Sequence, residues 1–431
     1  MKIPISNTAS KMYKWVEDLF PINRSLTGPG VRETLQYLQK IVPELTIQEV
    51  PTGTNVFDWT VPEEWSVHEA YIQDEDGEKI VDFDDHNLHL VGYSEPVDEW
   101  MTLEDLENHL YTLPDQPDAI PYVTSYYKRR WGFCMTQNQK DSLRSGKYHV
   151  YIDSQLKSGV LNYGEIILPG QTEKEILLST YICHPSMANN ELSGPAVTTA
   201  LAKWLTKLEN RKYTYRIVYV PETIGAITYI SKHIDQLKKN VIAGYQITCV
   251  GDERNYSFLS SRYGNTLADR VAKHVLKHAV DNYKEYSFLE RGSDERQYCS
   301  PGIDLPVASI MRSKYGEYSE YHTSLDNLDL VTQKGLEGAY EVYKKVIEAI
   351  ENNCTPKVNV YCEPQLGKRG LYPDVSKKDS ATEVRLLTNF IAYADGKNDL
   401  FEIAEILDVP IWNLYNILFN LIGEGLMQCN N

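Results

Sequence analysis

The chain has 431 residues, more than one compact domain usually holds, so we expect two or three domains. Hydrophobic residues make up 42% and charged residues 24%, which is the balance of a folded protein and excludes extensive disorder. The net charge of -17 disfavours nucleic acid and anionic membranes as partners. The first residues lack the apolar core of a signal peptide, and no apolar run approaches the roughly 20 residues that span a bilayer. We therefore expect a cytoplasmic protein that does not bind membranes.

The amino-terminal part begins with helices. The spacing of apolar residues predicts one helix over residues 7–20 and a second over 32–41, with a break between them. Residues 51–150 then combine strand-like pieces with many acidic, proline and aromatic residues, and they predict an inserted β-rich domain. This insert would serve as a lid or as a contact in a homo-oligomer. Arg129 and Arg130 near its end either hold an anionic substrate or form a solvated edge.

The pattern changes near residue 151. Four near-continuous apolar runs follow, separated by helices with a clear apolar face. This alternation predicts an α/β fold with a mostly parallel central sheet and helices on both faces. Residues 1–50 and 151–352 would together form this discontinuous domain.

The last part of the chain, residues 356–431, predicts a small winged-helix-like domain. It has a short second helix, a tight turn and a proline-led third helix, and the residues after these could begin a wing. Residues 379–429 include two basic and eight acidic residues, and the third helix has no Lys or Arg. A helix that reads DNA needs such cations for phosphate contacts, so we expect no nucleic-acid binding and a packing role instead.

Seven cysteines are scattered along the chain, none of them in a CxxC pair. Several lie within apolar runs, including Cys183 and Cys249. Their odd number and their apolar surroundings predict buried free thiols in a reducing compartment rather than disulfides.

Candidate catalytic residues follow the apolar runs. His184 and Glu222 each lie at the end of such a run. So does the pair Asp252–Glu253, and His322 lies in the loop after the last run. Parallel sheets bind ligands at the carboxyl ends of their strands, so these side chains should converge. Taken singly, each also has an ordinary structural explanation, such as a loop-capping histidine, an acid at a helix amino terminus or a surface turn.

The motif CHPSMANNELSGPA, residues 183–196, combines a histidine at a strand end with a polar loop and a helix start. Three further motifs follow in the chain: PETIG, GSDERQY and YHTSLD. A histidine with carboxylates nearby is typical of a metal ligand and the groups that orient it. The order of these motifs is more specific than any one of them.

Together with FPINRSLTGPGVRETL near the start and SYYKRRWGFC at residues 125–134, these motifs resemble bacterial zinc aminopeptidase-like proteins associated with polysaccharide biosynthesis. That group is related to the co-catalytic zinc aminopeptidases and to glutamate carboxypeptidase. The resemblance covers nearly the whole chain, including the inserted and the carboxy-terminal domains. It implies a metal-dependent hydrolase that cleaves an amide or peptide bond in a small molecule or short peptide.

The resemblance also implies roles for individual positions. His184 and His322 would bind zinc, and Glu222 would be the general base. Asn190 stands where the wider family has the aspartate that bridges two metals. Thr223 and Thr248 stand where further acidic ligands are expected.

These neutral replacements bear on the number of metal ions. Two divalent cations need several carboxylates to offset their repulsion, so we expect one zinc ion per chain, held by two histidines and an oxygen donor. The donor would be Asn190 or, alternatively, one of the acids Glu222, Asp252 and Glu253.

The expected mechanism starts from a zinc-activated water, from which Glu222 takes a proton while Tyr298 or Arg296 stabilises the oxyanion. The candidate substrate-binding residues are Arg24, Asp294, Glu295 and Asp326. Two alternatives stay open. One is a non-catalytic or weakly active ligand-binding protein on a degenerate aminopeptidase scaffold, and the other is a single-zinc transferase or cyclase of the same fold.

Overall fold

The structure is a computed structural model that describes residues 6–371 and 378–430. The helices of this part are α1 (Asn7–Leu19), α2 (Pro29–Ile41), α3 (Leu103–Leu106), α4 (Gln137–Asp141), α5 (Ser193–Leu205), α6 (Ile224–Asn240), α7 (Leu267–Ala279), α8 (Glu295–Tyr298), α9 (Gln333–Glu351), α10 (Lys378–Tyr393), α11 (Leu400–Leu407) and α12 (Trp412–Gly423). Its strands are β1 (Thr46–Pro51), β2 (Asn55–Val56), β3 (Trp59–Thr60), β4 (Glu64–Asp74), β5 (Lys79–Asp82), β6 (Val97–Thr102), β7 (Leu110–Tyr111), β8 (Phe133–Cys134), β9 (Lys147–Lys157), β10 (Val160–Leu168), β11 (Glu175–Tyr181), β12 (Thr214–Val220), β13 (Val241–Gln246), β14 (Ser257–Leu259), β15 (Lys284–Tyr286), β16 (Val307–Met311), β17 (Thr355–Val358) and β18 (Met427–Asn430).

The chain forms two compact units. The first comprises Met1–Asp269 and Tyr283–Glu341, and the second comprises Arg270–Asn282 and Val342–Asn431. The inserted segment therefore belongs to the first unit. In the part of the chain that the structure describes, no helix has both the length and the apolar character needed to cross a bilayer.

An eight-stranded sheet organises the first unit, in the order β1-β10-β12-β11-β13-β16-β14-β15. The strands β12, β11, β13 and β16 pair in parallel, while β1, β10 and β14 join the sheet in antiparallel pairs. The predicted α/β class with a mostly parallel sheet is confirmed. The strands β11, β12 and β16 are buried along their whole length, which explains their near-continuous apolar sequences.

Helices cover both faces of this sheet. Successive side chains of a strand point to opposite faces. On β12, Arg216 donates to the hydroxyl of Tyr229 on α6, whereas the hydroxyl of Tyr219 bonds to Thr199 on α5. These two strand residues differ by an odd number of positions, so α5 and α6 lie on opposite faces.

The inserted segment forms its own antiparallel sheet in the order β5-β4-β9-β6. Its strand β9 continues to Lys157, past the predicted boundary at residue 150. A small hairpin, β2–β3, precedes this sheet and exposes the aromatic rings of Phe57 and Trp59. The hairpin and the sheet supply aromatic residues near the candidate site described below.

The second unit contains α10, α11, α12 and the antiparallel pair β17–β18. Strand β18 provides the wing that the sequence predicted after the third helix. Cys354 and Cys429 form a disulfide at this strand pair, so the prediction that the cysteines are free thiols is wrong for these two. They are 75 residues apart in the sequence, and only the pairing of the two strands brings them together. The other five cysteines are free thiols.

Candidate active site

The candidate site lies at the carboxyl ends of the parallel strands, where such sheets bind ligands. His184 follows β11, Glu222 follows β12, and His322 lies in the loop after β16. All three line one cavity of about 480 Å³. The sequence predicted that these three residues would converge together with Asp252 and Glu253, which do not line the cavity. The full lining consists of Leu26, Trp59, Tyr122, Thr124, Tyr126, Tyr127, Cys183, His184, Glu222, Thr223, Ile224, Arg296, Gln297 and His322.

A single π-helical turn, Ala188–Leu192, shapes the loop after His184 and leads directly into α5. Such turns are rare and often occur at functional sites. Asp326 holds this turn in place: its carboxylate accepts the backbone N–H groups of Asn189 and Asn190 at 2.6 and 2.9 Å. Burial raises the pKa of Asp326 to about 6, despite these hydrogen bonds. Both carboxylate oxygens of Asp326 accept these backbone groups. Asp326 therefore has a structural role in place of the predicted contact with substrate.

His184 lies between two carboxylates. Its Nδ1 is 2.8 Å from Oε2 of Glu191, and its Nε2 is 3.4 Å from Oε2 of Glu222. Burial alone would lower the pKa of His184, but these two carboxylates outweigh it and raise the pKa to about 10. A divalent cation at Nε2 would take the place of the proton that the carboxylates favour.

Sequence reasoning missed Glu191. Its side chain is fully buried, and Nε of the equally buried Arg24 lies 3.8 Å from its Oε1. Arg24 also donates to the carbonyl oxygens of His184 and Leu19 at 3.1 and 2.7 Å. The prediction that Arg24 binds substrate is therefore wrong, because this arginine contacts Glu191 and the backbone at His184 and does not line the cavity. The signal for Glu191 was an acid seven residues after the histidine, inside the ANNELSG motif.

His322 faces His184 across the cavity, with ring centroids 5.5 Å apart. Its backbone has a φ of 58°, and its ring stacks on Tyr321 at 3.9 Å. Its Nε2 is buried and has no hydrogen-bond partner in the described protein. Burial, together with the charge of His184, lowers the pKa of His322 to about 3. Neutral imidazole is the form that binds metal ions.

The residue after Glu222 has a strained backbone. Thr223 has a φ of 63°, which is unusual for a β-branched residue, and its N–H donates to Oδ1 of Asp294 at 2.7 Å. Nη2 of Arg296 donates to the Thr223 hydroxyl at 2.5 Å. Burial raises the pKa of Asp294 well above its ordinary value, and the charge of Glu222 adds to this effect. Asp294 thus positions the Glu222 loop from behind, and it does not line the cavity.

Neutral groups occupy the region beside the histidines where acids were expected. Nδ2 of Asn190 donates to the hydroxyl of Tyr181 at 2.8 Å, and this hydroxyl bonds to Thr248 at 2.6 Å. The Thr248 hydroxyl in turn donates to the carbonyl oxygen of Asn190 at 2.9 Å. Oδ1 of Asn190 is buried without a hydrogen-bond partner in the described protein. This network leaves little negative charge with which to hold a second cation.

Four other predicted residues do not reach the cavity. The hydroxyl of Tyr298 is buried against Ser179, so it cannot stabilise an oxyanion. The carboxylates of the remaining three accept hydrogen bonds from other groups. Glu295 accepts from Tyr315 and two backbone N–H groups, Asp252 from Ser313 and Arg254, and Glu253 from Lys334 and Thr332. These three residues are therefore neither substrate contacts nor metal ligands.

The inserted segment closes one side of the cavity. The N–H of Tyr122 donates to the carbonyl oxygen of His322 at 2.9 Å, and the Tyr122 ring lies 5.1 Å from the rings of both His184 and His322. Its hydroxyl bonds to that of Tyr126 at 2.7 Å. Trp59 of the β2–β3 hairpin contacts Tyr127 edge to face at 5.5 Å. The insert thus gives the cavity an aromatic wall.

Two groups of described residues have ligand atoms close together: Cys183, His184 and Glu191 at the candidate site, and His274, His278 and Glu405 in the second unit. Nδ1 of His274 contacts Glu405, and its Nε2 accepts the N–H of Ile411 at 3.0 Å. Both ring nitrogens are therefore already used. If a metal ion bound to Nδ1 of His274, Nε2 would carry the proton, and that proton would face the N–H of Ile411. This cluster therefore serves packing within the second unit.

Two family models together match most of the chain. Residues 13–353 match a family described as a domain of unknown function, DUF4910, and residues 354–429 match a winged helix-turn-helix family. The chain belongs to the DUF4910 family. The predicted winged-helix character of the carboxy-terminal part is confirmed.

Named relatives of this DUF4910 protein are aminopeptidase-like. A Clostridium acetobutylicum protein described as a polysaccharide biosynthesis protein with an aminopeptidase-like domain is 48% identical over 401 residues, covering 93% of this chain and 92% of the relative. A crystal structure from the same organism, of a protein described as a peptidase, has a TM-score of 0.93 at 45% identity and covers 98% of this chain and 96% of that chain. The predicted resemblance to zinc aminopeptidase-like proteins is thereby confirmed.

More distant structures share the fold. The zinc aminopeptidase of Bacillus subtilis has a TM-score of 0.60 at 10% identity, covering 81% of this chain and 96% of that chain. Identity this low is evidence for an aminopeptidase fold alone, and the chemistry must be argued from the residues present.

Proposed function

We propose that this DUF4910 protein is a zinc-dependent hydrolase of an amide bond in a small substrate. The position of Glu222 is the observation that supports this most. Its Oε2 lies in the cavity, 3.4 Å from Nε2 of His184. Ligands around a zinc ion with bonds of about 2.0–2.1 Å lie roughly 3.3 Å apart, so the Glu222 carboxylate lies close to the coordination sphere of a metal ion at Nε2 and is placed to accept a proton from a metal-bound water.

The residues present fit one metal ion. His184 and His322 face each other, and the buried Nε2 of His322 has no protein partner. We assign the third donor to Asn190. Its Nδ2 is held by Tyr181, so its partnerless Oδ1 must point away from that tyrosine. Buried polar atoms without partners are uncommon, and a cation is a partner that each of these two atoms could take.

Zinc, when bound, would lower the pKa of its water to about 7 and polarise the carbonyl of the substrate. Glu222 takes the proton of the attacking water and returns it to the leaving nitrogen. Glu191 contacts Nδ1 of His184 and so keeps Nε2 directed at the cavity. Tyr122 and Tyr126 exclude water from one side of the cavity.

The cavity size limits the substrate. A volume of about 480 Å³ suits a small molecule or a short peptide, and the description of the Clostridium acetobutylicum relative supports a substrate from polysaccharide biosynthesis. Such a substrate would carry an amide on a sugar or an aminoacyl group.

Elemental analysis of the purified protein tests the metal, and an amide panel tests the reaction. We expect about one zinc per chain in the wild type, loss of zinc in His184→Ala, and retention in the control His68→Ala, because His68 is an exposed residue of β4. Glu222→Gln should keep the metal but lose at least about 100-fold in kcat on aminoacyl and acyl amides. A wild type that binds no zinc when zinc is supplied would overturn the proposal.

A non-catalytic ligand-binding protein is the second candidate. The neutral network of Asn190, Tyr181 and Thr248 supports it, since a catalytic site of this fold would gain from acids there. In that case the protein would bind amides in the cavity without turning them over, and Glu222→Gln would leave binding unchanged.

For the second unit we propose a role in protein packing rather than DNA binding. The helix α12 occupies the place of a recognition helix, yet its sequence has no Lys or Arg, and Phe419 and Ile422 on it are exposed. Phosphate contacts need cations, and α12 supplies none of its own. Measurement of binding to mixed-sequence duplex DNA at low salt tests this. We expect none, and binding that weakens steeply with salt would contradict it.

A further inference from the structure

One arginine of the cavity, Arg296, forms no ion pair among the described residues, although its charge opposes the rise in the pKa of the buried Asp294. Arg296 lines the cavity beside Thr223 and Gln297, and its Nη2 is anchored on the Thr223 hydroxyl at 2.5 Å. Its Nε is buried without a hydrogen-bond partner, and among the residues that the structure describes no carboxylate lies within ion-pair distance of its guanidinium. A buried donor with a positive charge and no partner calls for a ligand that supplies one.

The other arginines near the site differ in this respect. Arg129, which the sequence suggested for binding an anion, pairs with Glu63 and lies 3.7 Å from Glu95. Arg130 donates to the Thr124 carbonyl oxygen and to two hydroxyls. Both are used by the fold, so neither has a free edge for a substrate.

The Thr223 anchor fixes the plane of the Arg296 guanidinium. Thr223 is itself rigid, because its strained backbone is held by Asp294. A fixed guanidinium presents parallel N–H groups that match the two oxygens of a carboxylate, which is the strongest pairing available to arginine. The aromatic wall opposite, with Tyr126 and Trp59, would pack against the carbon skeleton that carries the carboxylate.

We propose that Arg296 binds a carboxylate of the substrate, so that the site takes acidic amides rather than neutral ones. This inference rests on the proposed function only where it concerns the hydrolysis of acidic amides. Binding of the carboxylate itself needs no turnover. It replaces the oxyanion role that the sequence suggested for Arg296. The carboxylate could belong to an acidic amino acid or to a sugar acid, because both present the same two oxygens.

Calorimetric titration of the purified full chain with matched probe pairs tests the proposal. One pair is N-acetyl-L-isoglutamine, whose only carboxylate is on the side chain, and the neutral N-acetyl-L-glutaminamide. The other pair is D-glucuronate and D-glucuronamide. Within each pair the size is the same and only the charge differs. We expect the acid of at least one pair to bind about 10-fold or more tighter than its amide, and the pair that shows this identifies the source of the carboxylate.

The variant Arg296→Met should abolish that preference, so that the acid and the amide of the pair bind equally. Arg129→Met is the matched control, because its charge is already paired, and it should keep the preference. Equal binding within both pairs, or no binding of either acid, would overturn the proposal. So would a preference that survives in Arg296→Met and disappears on treatment with a chelator, since the acid would then be binding a metal ion.

Kinetics on any amide that the enzyme turns over separate the two roles of Arg296. A carboxylate-binding arginine predicts that Arg296→Met raises KM for acidic amides much more than for neutral ones, so that the ratio of kcat/KM between acidic and neutral amides falls. An oxyanion role would instead lower kcat on all amides, and that result would also overturn the proposal. A protein without turnover that still prefers the acidic probes would refute the proposed reaction and keep the carboxylate site.

Discussion

His184 and Glu191 form a buried ion pair, with Nδ1 of the imidazole 2.8 Å from Oε2 of the carboxylate. Arg24 lies against the other oxygen of Glu191 at 3.8 Å, so the negative charge is not left alone in the core. A histidine held at Nδ1 directs Nε2 to the opposite side, which here is the cavity. Glu191 therefore decides which nitrogen of His184 is available to a metal ion.

The variant Glu191→Gln tests this role. The amide keeps the shape but loses the charge that orients the imidazole, so the dissociation constant for zinc should rise by about 10- to 100-fold. Competition with a chromophoric chelator measures it. Glu253→Gln is the control, because Glu253 pairs with Lys334 on the surface and should not affect zinc. Unchanged zinc affinity in Glu191→Gln would show that the pair serves stability alone.

The candidate site was partly predictable from the sequence. Strand ends identified His184 and Glu222, because their positions depend only on the apolar runs before them, and the YHTSLD motif identified His322 in the loop after β16. The role of Glu191 was not predictable, because a π-helical turn places its side chain against His184 and turns Asn190 toward Tyr181. An α-helical turn in this place would have directed the side chains of Glu191 and Asn190 elsewhere.

Hydrogen bonds from the backbone explain why two residues were assigned wrongly to the substrate. Glu295 and Asp326 belong to the right loops, but backbone N–H groups that need acceptors take up their carboxylates. Sequence alone does not show which backbone donors a loop leaves unpaired. Arg296, by contrast, keeps a free edge because Thr223 occupies only one of its nitrogens.

Most of the fold followed from alternating apolar runs and helices. The strands β14 and β15 were not predicted, because three residues each are too few for a recognisable period. The disulfide was missed for another reason: the antiparallel pairing of β17 and β18 brings its cysteines together across 75 residues.

The disulfide leads to a prediction for the second unit. A crosslink that closes a loop of this length restricts the unfolded chain, and its loss in Cys354→Ser should lower the free energy of unfolding by about 4 kcal/mol. Urea unfolding of the full chain, with and without a reductant, measures it. Addition of reductant should lower the stability of the wild type to that of the variant. Cys362→Ser is the control, since that cysteine is a free thiol.

His274 makes the second unit sensitive to acid. Burial lowers the pKa of His274, and the attraction of Glu405 does not offset this effect. Only the neutral ring accepts the N–H of Ile411, at 3.0 Å. Because the folded pKa is below the unfolded value of 6.5, the stabilisation is complete above pH 6.5 and is lost as the pH falls below it.

Comparison with His274→Ala isolates this contribution from the other groups nearby, Lys277, His278 and Glu405. The wild type should be more stable than the variant at pH 7.5, and the difference should shrink by pH 5.5. Urea unfolding at the two pH values measures it. A difference that is the same at both pH values would show that His274 contributes packing without any linkage to protons.

Asn190 provides the test of the metal-ligand set. In Asn190→Asp a carboxylate replaces the amide at the proposed third donor, and a carboxylate binds zinc more strongly. We expect zinc to bind about 10-fold or more tighter in this variant. The metal-free variant should be less stable than the wild type by about 1–3 kcal/mol, because it buries a charged or unpaired group. Thermal unfolding with and without zinc should therefore show a larger gain on metal binding than in the wild type.

The neighbouring variant Asn189→Asp is the matched control for that experiment. Nδ2 of Asn189 donates to Oδ2 of Asp252 at 3.3 Å, so an aspartate there would face another carboxylate. It should destabilise the protein to a similar extent whether or not zinc is bound, and it should leave zinc affinity unchanged. If Asn190→Asp behaves like Asn189→Asp, the third donor is not Asn190. In that case Glu222, whose carboxylate lies 3.4 Å from Nε2 of His184, becomes the ligand and another group must serve as the base.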